Sequence, residues 1–418
     1  MTIVGATTSP GTGASPERTG APILPGSAQR GQPATLGVMG GGQLGRMFVH
    51  AAQRMGYHTA VLDPDPASPA GLVSHHHIQT AYLDPLGLGR MAQCCAAITT
   101  EFENVPAQAM RVLAAQRPVA PGAAALAIAQ DRRQEKAHFA RCGVPCAPYA
   151  EIVTAGQLAL VGDALLPGIL KTASMGYDGK GQVRVKDRAE LVAAWATLHG
   201  VACVLEQQLA LRSECSVIVA RGWDGTMVHF PVQSNLHRDG ILAVTEVCAD
   251  NLAVGLAAQA IAAARSIAQG LTYVGVLCVE FFIVRGDGAA GSGHDRLLVN
   301  EIAPRPHNSG HYTLDACDQS QFDLQVATLA GLPLRQPRQH SPAIMLNLLG
   351  DLWLSEGQAV TPDWVGVLAL PGSHLHLYGK LEPRAGRKMG HLTITGDSIA
   401  QVRATARQAA ALLGIALH

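Results

Sequence analysis

The chain has 418 residues, of which 48% are hydrophobic and 15% are charged, and its formal net charge is zero. This length predicts two or three packed units, and the composition is typical of a soluble globular enzyme. A net charge of zero excludes the strong basic excess of proteins that bind nucleic acids or acidic membranes, and no apolar run reaches the ~18 residues of a membrane span.

The first 33 residues are rich in Gly, Pro, Ser, Thr and Ala and contain few bulky apolar side chains. Such a composition cannot bury enough surface to offset the entropy lost on ordering, so residues 1–33 are expected to form a disordered extension. The segment also lacks the apolar stretch of a secretory signal.

Cysteine and histidine patterns do not indicate a disulfide framework or a metal site. The nine cysteines are irregularly spaced, which predicts reduced thiols in a cytoplasmic protein. The histidine triplet at residues 75–77 has no cysteine or carboxylate companion, and it is expected in a loop or at a strand edge.

Structured sequence begins at Ala34 with strands that alternate with helices. Strands are expected at Thr35–Met39, Thr59–Leu62, Ala96–Thr100 and residues 119–120, with helices at Arg46–Met55 and from about Asp131 to Arg141. This alternation predicts a parallel α/β sheet.

Between residues 165 and 335 the pattern changes to apolar strands joined by turns. Strands are expected at 168–171, 202–206, 215–220, 227–232, 276–284 and 296–300, and helices at 188–199 and 251–269. These elements indicate an α+β region with antiparallel hairpins. The last part of the chain is expected to contain strands at 343–348, 366–369, 374–378 and 391–395 and a closing helix at 397–412.

The turn after the first strand carries a glycine-rich motif. Gly40-x-Gly42-x-x-Gly45 satisfies the dinucleotide-binding fingerprint, and Asp63 lies 18 residues after Gly45. The glycines allow backbone amides at a helix N-terminus to approach a phosphate. The motif alone is compatible with a nicotinamide enzyme, with an anion-binding turn for another nucleotide, and with a purely structural turn.

A second glycine-rich loop, residues 176–182, follows the strand that ends at Lys171. A hairpin of this kind folds over a triphosphate when its amides and Lys180 face the anion, and Lys171 would neutralise the phosphates from the strand. An ordinary flexible hairpin is the alternative. The next strand, residues 204–209, is expected to offer backbone groups to adenine, with Glu214 accepting from ribose hydroxyls.

Two carboxylates lie in apolar strands that are expected to pair. Glu280 lies between Val279 and Phe281, and Glu301 ends the return strand. A buried carboxylate needs a cation or hydrogen-bond donors, and antiparallel pairing would bring the two together as a site for Mg²⁺. Ion pairs with two arginines are the alternative.

The segment from residue 303 to 311, Ala-Pro-Arg-Pro-His-Asn-Ser-Gly-His, is dense in cationic and polar side chains. Arg305 is suited to grip a carbonate or phosphate by a bidentate fork. His307 or His311 is suited to move a proton.

A set of segments, in this order, resembles the N5-carboxyaminoimidazole ribonucleotide synthetases of the ATP-grasp superfamily. They are Gly-Gly-Gly-Gln-Leu-Gly-Arg (40–46), Gln-Asp-Arg (130–132), Leu-Lys-Thr (170–172), Gly-Tyr-Asp-Gly-Lys-Gly-Gln (176–182), Asn-Leu-His-Arg-Asp-Gly (235–240), Asn-Glu-Ile-Ala-Pro-Arg-Pro-His-Asn-Ser-Gly-His (300–311) and Gly-Arg-Lys-Met-Gly-His (386–391). The resemblance spans residues 34–418, and the last two segments discriminate best within the superfamily.

The resemblance implies a three-domain ATP-grasp architecture with α/β and α+β parts. After the extension (1–33), it implies a Rossmann-like N-terminal domain (34–137), an ATP-grasp domain with its lid (138–340) and a small β-rich C-terminal domain (341–418). It also implies a cytoplasmic homodimer with small-molecule substrates, without nucleic-acid or membrane partners.

Membership of this family would make the chain an ATP-dependent carbon–nitrogen ligase of de novo purine biosynthesis. Bicarbonate would attack the γ-phosphate of ATP to give carboxyphosphate, whose carboxyl group passes to the amine of 5-aminoimidazole ribonucleotide. The products would be ADP, phosphate and N5-carboxyaminoimidazole ribonucleotide. Because carboxyphosphate hydrolyses readily, the lid must exclude water.

The resemblance also assigns site residues by position. The catalytic set would be Arg305, His307, Asn308, Ser309 and Lys180, lining the bicarbonate and carboxyphosphate pocket. ATP would be bound by Arg132, Lys171, Gly176, Tyr177, Asp178, Gly179, Lys180, Gly181, Gln182, Glu206, Gln207, Gln208, Leu209, Glu214, His237, Asn300 and Glu301. The ribonucleotide, with its phosphate at the Gly40–Gly45 turn, would be bound by Gly42, Gln43, Leu44, Glu101, Tyr177, Lys380, Arg387 and Lys388. Mg²⁺ would be bound by Glu280 and Glu301.

Two positions depart from the expected pattern. Met175 stands where bacterial relatives commonly have a glycine, which could stiffen one end of the lid. Ala303 stands where many superfamily members have an asparagine, so a third metal ligand would come from water or phosphate.

The residues alone leave three other functions possible. A sister ATP-grasp ligase, such as a formate-dependent glycinamide ribonucleotide transformylase or a biotin carboxylase, shares the positions of Lys171, Glu280 and Glu301. A nicotinamide oxidoreductase rests only on the glycine turn and Asp63. A catalytically silent nucleotide-binding module is difficult to reconcile with filled catalytic positions.

Overall fold

The computed structural model describes residues 21–29, 31–174, 181–286, 295–355 and 358–416. Its first strands, β1 (Ala28–Gln29) and β2 (Gln32–Pro33), form a short antiparallel hairpin. The backbone amide of Ile23 donates to Ala330 O at 2.9 Å, and Tyr57 Oη donates to Ile23 O at 2.6 Å. The expectation of a disordered extension is therefore too broad for residues 21–29 and 31–33, whereas residues 1–20 and 30 lie outside the described part.

A four-stranded parallel sheet follows. Its elements are β3 (Thr35–Met39), α1 (Gln43–Arg54), β4 (His58–Leu62), β5 (His76–Ile78), α2 (Pro85–Cys94), β6 (Ala97–Thr100), α3 (Ala107–Ala114) and α4 (Ala123–Ala129). The strand order is β5-β4-β3-β6. Successive residues of β4 pack into different apolar clusters, Val61 on one face and Leu62 on the other. Both faces are buried, which explains the continuous apolar runs of these strands.

A small antiparallel sheet comes next. Its elements are α5 (Arg132–Arg141), β7 (Tyr149–Ile152), α6 (Ala155–Leu160), β8 (Gly168–Thr172), β9 (Gln182–Val185), α7 (Arg188–Thr197) and β10 (Cys203–Gln207). The strand order is β7-β10-β8-β9. Leu170, Leu191 and Leu205 form the core beneath its helices. β8 and β9 flank the second glycine loop, with Lys171 opposite Gln182.

The rest of the chain builds a larger, mainly antiparallel sheet. Its elements are β11 (Leu211–Arg221), β12 (Met227–His229), β13 (Gln233–Arg238), β14 (Ile241–Val247), α8 (Val254–Gly270), β15 (Gly275–Val284), β16 (Arg296–Ala303), α9 (Thr313–Ala316), α10 (Gln321–Ala330), β17 (Ala343–Leu349), β18 (Leu354–Ser355), β19 (Gln358–Ala359), α11 (Trp364–Leu368), β20 (Ser373–Leu377), β21 (Lys388–Thr395) and α12 (Ile399–Leu413).

The order in this sheet is β16-β15-β11-β13-β14-β17-β21-β20, and β12 pairs with β11. Because β14 pairs with β17, the sheet runs across the expected domain boundary between residues 340 and 341. Ala260 and Ala264 of α8 pack under β11 and β15, and Ala406 of α12 packs under β17 and β21. None of the described helices is long and apolar enough to span a membrane.

Most predicted strands lie within a few residues of the observed ones, but two departures have clear causes. The prediction of a strand at 366–369 is wrong, because residues 364–368 form α11, whose N-terminus is capped by Asp363 accepting from Gly366 N. β13 and β14 were not predicted. Their polar residues, such as Asn235 and Thr245, point into a buried polar region and so break the apolar pattern of a core strand.

Candidate active site

The glycine turn between β3 and α1 is organised by two carboxylates. The amides of Gly42 and Gly45 donate to Glu101 at 2.8 and 3.0 Å, and Gly41 N donates to Asp63 Oδ2 at 2.7 Å. A Cβ atom at Gly42 would lie 2.5 Å from Glu101 Oε1, so any other residue there would displace the carboxylate that holds the turn. Burial raises the pKa of Glu101, against the effect of the two amides.

These contacts determine which backbone amides of the turn remain available to bind a ligand. Among the described residues, the amides of Gln43 and Leu44 at the start of α1 have no acceptor, whereas that of Gly42 is engaged by Glu101. Asp63, which a nicotinamide enzyme would direct to ribose, accepts instead from Gly41 N and from Tyr82 Oη at 2.7 Å.

The basic C-terminal segment lies next to this turn. Tyr378 packs in the same apolar cluster as Leu44 of α1, and a Cβ atom at the following Gly379 would lie 3.4 Å from Arg46 Nη1. Lys380 Nζ donates to Lys388 O at 2.7 Å. The structure thus brings the segment that leads to Lys380 against α1, with the backbone of Lys388 beside the Lys380 ammonium.

Arg387 is placed differently from the two lysines. Its Nη1 donates to Glu382 O at 2.7 Å, within the loop before β21. The structure therefore ties this guanidinium to the loop backbone.

A buried carboxylate joins two lysines on the nucleotide side. Glu206 of β10 lies 2.8 Å from Lys171 Nζ and 2.9 Å from Lys136 Nζ. Burial acts to raise the pKa of Glu206, but the two ammonium groups lower it to about 2. The sequence analysis missed Lys136, although it lies four residues after Arg132 in α5 and so shares that helix face.

Two backbone amides at the end of β10 already donate hydrogen bonds within the protein. The amides of Gln207 and Gln208 donate to Pro148 O and Pro167 O, each at 2.9 Å. Among the described residues the amide of Leu209 has no acceptor, which leaves it as the donor of this segment for an adenine ring.

Glu280 and Glu301 lie at a β-bulge. Glu280 is directly opposite Glu301, but Phe281 is opposite Val299, so Asn300 is the extra residue of β16. Within the described part of the chain, Asn300 Oδ1 is buried and has no hydrogen-bond partner. The bulge breaks the strict alternation of side chains, and the residue with the unsatisfied oxygen is the chain neighbour of Glu301.

Each of the two carboxylates contacts one basic side chain. Glu280 Oε1 lies 2.9 Å from His307 Nε2, and Glu301 Oε2 lies 2.9 Å from Arg132 Nη1. The alternative of two arginine ion pairs is thus correct only for Glu301. Burial acts to raise the pKa of Glu280, but His307 lowers it to about 2. In the described structure the second oxygen of each carboxylate has no protein partner.

Glu214 and His237, on the neighbouring strands β11 and β13, form a further ion pair at 2.7 Å. Burial acts to lower the pKa of His237, but the hydrogen bond to Glu214 raises it. The structure therefore places these two predicted nucleotide-binding residues together.

The segment after β16 surrounds His307. The guanidinium of Arg305 is held by Glu103, whose pKa it lowers to about 2 against the effect of burial. Both polar atoms of the Asn308 side chain are buried and, within the described residues, unpartnered. Glu103 was missed by the sequence analysis. The available signal was its place just after β6, at the carboxyl edge of the parallel sheet.

His311 makes different contacts from those of His307. It is buried, stacks on the ring of His391 at 4.7 Å between ring centroids, and lies 3.2 Å from Gln321 Nε2. Of the two histidines considered for proton transfer, only His307 contacts Glu280.

Part of the second glycine loop cannot be compared with expectation. Gly176, Tyr177, Asp178, Gly179 and Lys180 lie outside the described residues. Gly181 has a φ of +73° and accepts from Thr172 N at 2.9 Å, which closes the base of the hairpin.

Comparisons with known proteins agree with this geometry. The chain matches the models of the ribonucleotide synthetase preATP-grasp domain at residues 34–130, the ATP-grasp domain at 137–322 and the phosphoribosylaminoimidazole carboxylase C-terminal domain at 343–405. It is 42% identical to the N5-carboxyaminoimidazole ribonucleotide synthase of Brucella melitensis, over 86% of this chain and 96% of that protein.

Solved structures give the same result. The N5-carboxyaminoimidazole synthetase of Staphylococcus aureus with ADP superposes with a TM-score of 0.81 and 37% identity, over 91% of this chain and 97% of the other. The enzyme of Aspergillus clavatus in complex with ADP and 5-aminoimidazole ribonucleotide superposes with a TM-score of 0.80 and 29% identity, over 92% and 99%.

Proposed function

The chain belongs to the family of N5-carboxyaminoimidazole ribonucleotide synthases, and we propose that it carboxylates 5-aminoimidazole ribonucleotide with bicarbonate at the expense of ATP. The products are ADP, phosphate and N5-carboxyaminoimidazole ribonucleotide, an intermediate of de novo purine biosynthesis. Family resemblance further supports a cytoplasmic homodimer and a three-domain division at 34–137, 138–340 and 341–418.

The observation that carries the proposal is the direct opposition of Glu280 and Glu301 at the bulge of Asn300. Each of these three side chains has an oxygen without a protein partner in the described structure, and the three residues lie together at the bulge. Hard oxygen ligands are what Mg²⁺ prefers, so Glu280, Glu301 and Asn300 fit this ion. When bound, Mg²⁺ would neutralise charge on the phosphates of ATP.

ATP would lie between the small antiparallel sheet (β7-β10-β8-β9) and the large sheet. Lys171 of β8 and Arg132 of α5 would flank the nucleotide together with the Glu214–His237 pair of the large sheet. Phosphoryl transfer depends mainly on charge neutralisation and positioning, which these cations supply. The donor for adenine would be the amide of Leu209.

The carboxyl group would be transferred beside Arg305 and Asn308. Glu103 orients the Arg305 guanidinium. The N–H donors of Arg305 are therefore held in place before bicarbonate binds. The amide of Asn308 provides a donor and an acceptor that have no described protein partner. These two groups would bind the carboxylate while His307 moves a proton at Nε2.

The ribonucleotide phosphate would bind between α1 and the C-terminal segment. The amides of Gln43 and Leu44 lie at the positive end of the α1 dipole, and Lys380 and Lys388 would add positive charge from the segment that packs against α1. This pairing favours the present reaction over the sister ATP-grasp ligases. Asp63 accepts hydrogen bonds from Gly41 N and Tyr82 Oη instead of facing a ribose, which argues against a nicotinamide enzyme.

The test is release of ADP from ATP, Mg²⁺ and bicarbonate, measured with and without 5-aminoimidazole ribonucleotide. Strong stimulation by the ribonucleotide, with formation of a labile carboxylated product, is expected. ADP release that is indifferent to the ribonucleotide, or that is stimulated by another acceptor, would assign the chain to a different ATP-grasp reaction.

A further inference from the structure

Two adjacent cysteines lie between α2 and β6, away from the candidate active site. Cys94 is the last residue of α2 and is half-buried, whereas Cys95 is buried. Their Sγ atoms are 3.5 Å apart. All nine cysteines of the chain are free, and the hydrogen bonds of the described residues include no other contact between two cysteine sulfurs.

Packing and backbone contacts hold Cys95 in place. A Cβ atom at Gly37 of β3 would lie 2.7 Å from Cys95 Sγ and 2.8 Å from Met91 Cε, so the missing side chain of Gly37 makes room for both. The Cys95 amide donates to Met91 O at 3.0 Å, and the amide of the next residue, Ala96, donates to Thr35 O at 2.8 Å. Cys95 Sγ therefore has a fixed position between α2 and the sheet.

The two thiol protons have a defined direction. Cys94 Sγ donates to Met91 O at 3.7 Å, because a carbonyl can only accept. The contact between the two sulfurs must then use the proton of Cys95, with Cys94 Sγ as the acceptor. This hydrogen bond lowers the pKa of Cys94, and together with burial it raises the pKa of Cys95. Cys94 is therefore the more reactive thiol, and the protonated thiol of Cys95 lies beside it.

The separation of the sulfurs does not suit a disulfide. A disulfide needs an S–S distance of about 2.0 Å and Cα atoms usually about 4.4–6.8 Å apart. The peptide bond between Cys94 and Cys95 is trans, which places their Cα atoms only about 3.8 Å apart. Both requirements would therefore need a change of conformation at the end of α2.

The same separation suits two bonds to one bridging atom. An atom bonded to both sulfurs at about 2.3 Å, the length of a metal–thiolate bond, would have an S–X–S angle of about 100° at the observed 3.5 Å. Pyramidal trivalent arsenic has bond angles close to this value, and with one organic substituent it needs only two sulfur ligands. A linear two-coordinate ion would need the sulfurs farther apart.

We propose that Cys94 and Cys95 form a bidentate thiol site for a soft, thiophilic centre of bent geometry, such as trivalent arsenic with one organic substituent. The site precedes β6, at the amino edge of the parallel sheet, whereas the glycine turn follows β3 at the carboxyl edge. The inference is therefore independent of the proposed carboxylation.

The bond changes balance without an oxidant. Phenylarsine oxide is the probe. Cys94 Sγ bonds to arsenic first, because this thiol is half-buried and the more reactive of the two, and Cys95 Sγ then closes the ring. Two arsenic–sulfur bonds replace the bonds between arsenic and oxygen, and the two thiol protons leave with that oxygen as one molecule of water. Arsenic stays trivalent, and no sulfur is oxidised.

The test is binding of phenylarsine oxide to the full chain in excess 2-mercaptoethanol, measured by native mass spectrometry with 2,3-dimercaptopropanol as competitor. The unmodified chain is expected to keep one phenylarsenic group against the monothiol and to release it to the dithiol. Cys94→Ser and Cys95→Ala each leave a single sulfur, so the apparent affinity should fall ~100- to 10,000-fold, the usual loss when a second attachment is removed. Cys248→Ser, at another half-buried cysteine, is the matched control and should stay within ~2-fold.

The arsenic X-ray absorption spectrum of the complex needs no variant, so it decides the question even if Cys95→Ala does not fold. Two sulfurs bonded to arsenic are expected, and a single one would overturn the inference. Unchanged affinity in Cys94→Ser would overturn it as well, since the arsenical would then be bound elsewhere. A disulfide between Cys94 and Cys95 in the purified chain would also overturn it. None of these measurements uses ATP or the ribonucleotide, so failure of the proposed carboxylation would be seen separately.

Discussion

Glu280 and Glu301 are directly opposite each other on β15 and β16, yet each contacts a different basic side chain. Glu280 is paired with His307 and Glu301 with Arg132, both at 2.9 Å. Two carboxylates at adjacent positions repel each other unless cations lie between or beside them. In the described structure each carboxylate keeps one oxygen without a protein partner, and a divalent ion bound there would reduce the repulsion between them.

Glu280→Gln is expected to lower turnover at least ~100-fold, because it removes a charged ligand from the site where phosphate charge must be stabilised. The far-ultraviolet circular dichroism spectrum should be unchanged. Glu246→Gln is the control, since Glu246 pairs with Arg403 on the surface. Near-normal turnover with Glu280→Gln, or an unchanged dependence on Mg²⁺ concentration, would contradict the metal assignment.

Lys388→Ala tests the ribonucleotide site. Loss of one charge-assisted contact to phosphate costs about 1.5–3 kcal/mol, so KM for 5-aminoimidazole ribonucleotide should rise ~10-fold or more while KM for ATP stays within ~2-fold. Steady-state kinetics with each substrate varied in turn measure this. Arg384→Ala, in the same loop but exposed and paired with Glu382 at 2.6 Å, should change neither KM. A larger effect on ATP would move Lys388 to the nucleotide side.

Lys136→Met tests the shared carboxylate of Glu206. Removal of one partner of a buried ion pair costs about 3–5 kcal/mol when the remaining charge is left alone, but Lys171 still neutralises Glu206. We expect a loss of ~1–3 kcal/mol in the free energy of unfolding in urea. KM for ATP should also rise, because Lys171 is then the sole cation on Glu206.

Lys186→Met is the matched control, since Lys186 is exposed. Equal stability of the Lys136 and Lys186 variants would show that the Lys136–Glu206 contact contributes nothing.

Glu135→Gln tests a pH dependence of stability. Burial raises the pKa of Glu135 to about 8, whereas a glutamate in an unfolded chain titrates near 4.3. Between these values the folded chain keeps a proton that the unfolded chain has released, so stability falls as pH rises from about 4.3 to about 8. Gln keeps an oxygen for the amide of Ile302, which lies 2.8 Å from Glu135 Oε1.

The variant should therefore gain ~2–5 kcal/mol relative to the unmodified chain between pH 5 and pH 8. Urea unfolding at both pH values measures the difference. Glu151→Gln, at an exposed glutamate, should show no such change. If the stability gap between the Glu135 variant and the unmodified chain were the same at both pH values, the raised pKa would be refuted.

Local pattern alone predicted much of the fold. The parallel strands β3 and β4 were predicted from their short apolar runs, and β15 and β16 from apolar runs around a turn. The pairing of Glu280 with Glu301 was also expected from the sequence, because two apolar strands that follow each other along the chain commonly pair antiparallel. These features depend on residues that are close along the chain.

The incorrect prediction of a strand at 366–369 shows where local pattern alone fails. The run Val-Gly-Val-Leu is apolar, but Asp363 caps its start and turns it into a helix. A short apolar run does not separate the two structures by periodicity, and the capping residue decided between them.

The contacts that organise the site were decided by tertiary structure. Arg305 and Glu103 are 202 residues apart in the chain, and Ser216 and Ser309 are 93 apart. The sequence determined that a segment rich in basic side chains follows the strand that carries Glu301. Which carboxylate orients Arg305, and which hydroxyl contacts Ser309, depended on how the parallel sheet and the large sheet pack together, because a buried polar group takes whichever partner packing brings within about 3 Å.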